Sequence, residues 1–145
     1  MKQYIAPVAN YTVSAVLFIL AFIYLLRSSF MPYHSQAVSL KWHEIDTATQ
    51  SLMLALMRVC AGGWLAVSLT TAVLQWHFSQ SRQPWIPVLI LLIGLISVLT
   101  TLYATTIVYF NTPGRPPIPG LFILTFLLFV GYRMNMANIN KYQLA

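Results

Sequence analysis

From Ile5 to Leu26 the chain reads IAPVANYTVSAVLFILAFIYLL, twenty-two residues without a formal charge. A run of that length coils into a helix of about 33 Å at 1.5 Å per residue, enough to cross a hydrocarbon core about 30 Å thick. Two more apolar runs follow, over 51–75 and 86–110, and a fourth over 119–136. The fourth has a short clean core, LFILTFLLFVGY, and reaches spanning length only by continuing past Arg133; a re-entrant segment is its alternative. Composition agrees: the chain is 59% hydrophobic and 7% charged, against roughly 25% charged in soluble domains. So few charges cannot cover a water-facing surface. The expectation is an all-α bundle of four transmembrane helices forming one integral membrane domain over 1–145.

The polar connections bound the function. Residues 27–50, RSSFMPYHSQAVSLKWHEIDTATQ, make the one long polar stretch, in which Pro32 breaks the chain. Ala37, Val38, Leu40, Trp42 and Ile45 then alternate with polar residues, which predicts an interfacial polar segment between the first two spans. NTPGRPPIPG, at 111–120, is a rigid non-helical turn. The net charge of +6 comes from basic residues dispersed beside apolar runs, which points to lipid headgroups and topology rather than to nucleic acid. With four spans both termini share a side. That side holds Lys2, Arg82, Arg133 and Lys141 against Arg27, Lys41 and Arg115 on the other, so the count favours cytoplasmic termini, in a bacterial inner membrane given the compact loops. Cys60 is the only cysteine, which rules out an internal disulfide and a paired-thiol redox centre.

One charge interrupts an apolar run. Arg58 lies within LMLALMRVCAGGW, seven residues past Ser51 and roughly 10 Å into the second span. A charge there costs upward of about 2.5 kcal/mol. Its helical neighbours Ser51, Ala55, Gly62 and Ala66 are small, which predicts a face open to close helix packing. Gly94 and Ser97 begin a comparable stripe on the third span, and Thr101 and Tyr103 are expected near the depth of Arg58 as hydroxyl partners. Spans two and three are therefore expected to pack through these faces, with Arg58 as a brace or as a cationic site.

The densest chemistry is in the polar segment, where His34, His43, Glu44 and Asp46 fall within thirteen residues. They match no metal-ligand spacing, so no metal or other cofactor is expected. Asp46 or Thr47 is placed to cap the second span. The first span carries Asn10, Thr12 and Ser14 but no acid, which argues against a proton-coupled exporter built on a first-span carboxylate. Two classes of function fit. The first is a non-enzymatic subunit or assembly helper that packs against a membrane partner or a second copy. The second is a membrane-embedded enzyme or binding protein for a lipid-like small molecule, using Arg58 with the His43/Glu44/Asp46 lid.

Overall fold

The structure, a computed structural model, describes residues 4–143, with side chains described through Ile139. Five α-helices follow in order: α1 Ile5–Leu26, α2 Pro32–Val38, α3 Thr47–Ser81, α4 Trp85–Asn111 and α5 Ile118–Gln143. A single 3-10 turn, Trp42–Glu44, sits between α2 and α3. The four long helices are each long and apolar enough to cross a membrane. They form a ring in which α1 lies between α3 and α5, and α4 closes the circle between α5 and α3. The fourth span is one continuous helix, so the re-entrant alternative falls. α3 is longer than expected: its 35 residues extend about 52 Å, well beyond a hydrocarbon core.

Asp46 starts α3, its Oδ1 accepting from the Thr49 N–H at 2.9 Å. The preceding segment folds back over this end of the bundle. Phe30 is buried against the edge of Trp42, with ring centroids 5.0 Å apart. The Gln50 amide donates to the carbonyls of Trp42 and Ile45 at 2.7 and 2.9 Å. Met53, Leu54 and Met57 of α3 complete an apolar plug beneath this cap.

Close helix packing falls on a pair the sequence reading did not select. α1 turns Ala6, Asn10, Ser14 and Ala21 inward, and α3 meets it with Ala61, Ser68, Thr71 and Gln75. These small residues let the backbones approach until each serine bonds across the gap. Ser14 donates to the Ser68 carbonyl at 2.9 Å and Ser68 to the Ser14 carbonyl at 2.8 Å. One to two turns nearer the termini, the Gln75 side-chain carbonyl accepts from the Asn10 amide at 2.6 Å and from the Asn135 amide of α5 at 2.8 Å. All three side chains are fully buried. Gly131 of α5 lies directly over the Asn10 amide, where any Cβ would collide with it. Phe78, Ile86, Ile90 and Ile139 seal the bundle below this triad.

The expected small-residue face of α3 is elsewhere. Ser51, Ala55, Gly62 and Ala66 are all exposed, and nothing lies within 4 Å of where a Gly62 Cβ would stand. Gly94 is buried, but against Leu128 of α5 rather than against α3. The reason is angular: at 100° per residue the face carrying Met57, Ala61, Ser68 and Gln75 points into the bundle, and the Ser51–Ala66 stripe lies roughly opposite.

Replacing Gln75 by Leu takes the shared acceptor from two buried amides. The expected loss is about 1–3 kcal/mol in reversible unfolding of the detergent-solubilised protein. Gly131→Val should also destabilise, because Asn10 has no room to withdraw.

Candidate functional site

Between α3 and α4, in the half of the bundle under the cap, the helices part around a pocket of about 710 Å³. α3 contributes a regular stripe of Met53, Met57, Cys60, Gly63, Trp64 and Val67. α4 lines the other side from Ile93 to Val108, roughly 22 Å of helix. Tyr24 of α1 forms part of the wall, and Tyr33 and His34 of α2 form the roof. Leu56, Gly63, Ile96 and Thr100 are both pocket-lining and exposed, so the pocket opens sideways between α3 and α4.

Polar groups gather under the roof. The Tyr24 and Tyr33 hydroxyls hydrogen-bond each other. The Tyr24 ring meets Trp64 edge-on at 4.8 Å, and Tyr33 meets His34 at 4.3 Å. The Trp64 indole N–H donates to the Thr101 hydroxyl at 3.3 Å. Thr101 in turn donates to the Ser97 carbonyl at 2.8 Å, and Thr100 and Thr105 also spend their hydrogens on carbonyls of α4. α2 begins with Pro32, whose missing N–H suits a first turn. His34 closes that turn, its Nδ1 accepting from the Met31 N–H at 3.3 Å. Burial holds the His34 imidazole below the usual histidine range and pushes the Tyr33 hydroxyl up.

Of the residues singled out from sequence, the structure brings His34, Ser97 and Thr101 to this pocket. It does not bring the others. Tyr103 is exposed and does not line the pocket. Glu44 caps the 3-10 turn, its Oε2 accepting from the Lys41 N–H at 2.7 Å, and Asp46 caps α3. Bonds from Thr49 hold the Asp46 carboxyl below the usual carboxylate range. His43 stands on the surface, 4.0 Å from Glu44. Among the described residues no three His, Cys, Asp or Glu side chains converge on one point. Tyr33, part of the same polar segment as His34, also lines the pocket, while Tyr24, Cys60, Gly63 and Trp64 are not singled out by the sequence as site residues. For Cys60 and Trp64 a signal is present in the i, i+3, i+4 spacing they share with Met53 and Met57; Tyr24, on another helix, has none.

Arg58 is exposed and makes no hydrogen bond or ion pair among the described residues. It lies about 150° around α3 from the pocket stripe, facing away from the bundle. The Asn10–Gln75 and Ser14–Ser68 pairs fix the antiparallel register of α1 and α3, which carries Arg27 to about the level of Arg58. Along α3, Arg58 stands nineteen residues before His77, about 28 Å. That separation is close to the thickness of a hydrocarbon core, about 30 Å, and an arginine near the edge of such a core can extend its guanidinium toward the headgroups. A depth counted from Ser51 is too shallow a measure of the helix, because α3 begins four residues earlier, at Thr47. Of the basic residues behind the expected orientation, Lys2 and the Lys141 side chain lie outside the described residues.

Comparison with protein-family models, curated proteins and solved structures gives no match for this chain.

Two outcomes follow. Arg58→Gln should change unfolding stability by no more than about 0.5 kcal/mol, since no protein contact is lost. The His34 shift gives a pH dependence. A proton added to neutral His34 goes to Nδ1, which holds the Met31 N–H. The folded pKa lies below the ordinary value of about 6.5, so the opened state takes up protons first as pH falls. Stability of the closed cap is full above about pH 6.5 and declines below it, until the folded pKa is reached. Hydrogen-exchange protection factors at residues 31–38, taken relative to the intrinsic exchange rate at each pH, should fall between pH 7.5 and 5.5, and His34→Gln should flatten that response.

Proposed function

We propose that this chain is a membrane-embedded binding protein for a lipid-like small molecule, held between α3 and α4 beneath α2. One observation carries the reading: a pocket of about 710 Å³ that is apolar along most of roughly 22 Å, open to the lipid side and polar at one end. Ligand sites have this general form, a largely apolar cavity with a few convergent polar groups. The residues assigned to the ligand are Tyr24, Tyr33, His34, Cys60, Trp64 and Thr101; Arg58, His43, Glu44 and Asp46 have no part in it. The compact connections suit a bacterial inner membrane.

A second reading, a subunit that packs against a membrane partner or another copy, draws on the outward face of α3. There Ser51, Ala55, Gly62 and Ala66 leave open space beside Arg58.

Native mass spectrometry of the full chain, extracted gently from its host membrane, separates the two readings. Gly63 lines the pocket, and a side chain built there meets nothing within 4 Å. Gly63→Leu therefore fills the pocket while improving helix propensity. The expected result is a co-purifying small molecule on the wild type and its loss from Gly63→Leu, with the fold intact. A second polypeptide at fixed stoichiometry, with no small molecule on either protein, would replace this reading with the subunit one.

A further inference from the structure

We infer that the pocket takes an uncharged amphiphile with a flat head rich in acceptor oxygens, of the isoprenoid-quinone kind. Its head sits among Tyr24, Trp64 and His34, and its tail runs down the α3–α4 groove toward Val67 and Ile93. The inference rests on the pocket reading above and specifies its ligand.

Charge is the first argument. Among the described residues, no Asp, Glu, Lys or Arg lines the pocket. An ionised head drawn into it would lose its water without gaining a counter-charge, a cost that phosphate and carboxylate heads both face. Arg58, the cation of α3, is turned to the opposite side of the helix. Burial keeps His34 neutral as well.

Hydrogen-bond polarity is the second. With Nδ1 accepting from Met31, the neutral His34 ring carries its hydrogen on Nε2. That N–H has no protein partner among the described residues. Within the Tyr24–Tyr33 pair one hydroxyl donates to the other, which leaves a second O–H to give. The threonine hydrogens on α4 are already committed to backbone carbonyls. The roof therefore offers donors, and its complement is a head that presents acceptors.

Shape is the third. Tyr24 against Trp64 and Tyr33 against His34 make two edge-to-face pairs, interplanar angles 67° and 70°, around the polar end. Aromatic walls of this kind favour a planar guest through stacked and edge contacts. Below them the lining turns aliphatic at Val67, Ile93 and Ile96, and the sideways opening admits a tail from the bilayer.

The test is a titration of the full chain in detergent with three decyl compounds, read by tryptophan fluorescence: decylubiquinone, decyl phosphate and decylbenzene. Decylubiquinone should saturate at one per chain, at a concentration at least about tenfold below the other two. His34→Phe keeps a ring but removes the donor and should raise that concentration about tenfold; His34→Gln, which keeps an N–H, should restore most of it. Gly63→Leu should abolish saturation. If decyl phosphate or decylbenzene matches the quinone, or His34→Phe has no effect while Gly63→Leu still blocks, the head assignment is overturned and the pocket stands. If no decyl compound saturates, or Gly63→Leu changes nothing, the pocket reading falls and this inference falls with it.

Discussion

A single side-chain carbonyl sets the register of the bundle. Gln75 accepts from Asn10 and Asn135, so one oxygen fixes the relative heights of α1, α3 and α5. Helices in a bilayer have little hydrophobic reason to prefer one sliding position over another, because lipid tails are as apolar as leucine. A buried amide without a partner is expensive, and a shift of one turn would strand three of them. The reciprocal Ser14–Ser68 bonds act in the same sense. The register they set carries Arg27 to the height of Arg58.

The pocket is a consequence of how that closure is distributed. α1 and α3 are drawn together by small residues along most of α1, while Leu128 fills the space beside Gly94 and draws α4 toward α5. At the terminal end α3 and α4 are held by Phe78, Ile86 and Ile90. Toward the cap end the Trp64 indole N–H reaches across to Thr101 at 3.3 Å, and the two helices part around the pocket there. α2 roofs the gap because the 27–46 connection must return from Arg27 to the protruding start of α3. The turn at 112–117 packs against α2 in turn: at Gly114 a Cβ would press on the Tyr33 carbonyl and Ala37. Structure and polarity thus meet at one end of the cavity.

Much of the fold was legible in the sequence. The four spans follow from long apolar runs, one of them broken by Arg58, and the cap from Pro32 and the alternating segment after it; the cap of α3 narrows to Asp46 or Thr47, while the run itself suggests a later start at 51. The site was less so. Arg58 drew attention because a charge in an apolar run is costly, yet the cost depends on height, and height depends on where α3 begins and how α1 registers against it. The stripe Ser51–Ala66 has the spacing of a packing face, but spacing does not say which of two faces finds a neighbour. Thr101 and His34 were reached by their polarity; Tyr24 and Trp64 looked like ordinary aromatic residues of a membrane protein.

The sequence by itself determined the solvent and the class: 59% hydrophobic residues in four long runs leave a membrane helix bundle as the stable arrangement, because backbone polar groups in lipid must be satisfied within helices. It also determined that polar residues at Asn10, Ser14, Ser68 and Gln75 would need partners. Only the tertiary structure decided who those partners are. With it came the outward turn of Arg58 and the small stripe, and the gap between α3 and α4. The physical reason is that periodicity records the faces of one helix, whereas a pocket is a property of the space between two. That space is set by hydrogen bonds and side-chain volumes brought together from α1, α3, α4 and α5.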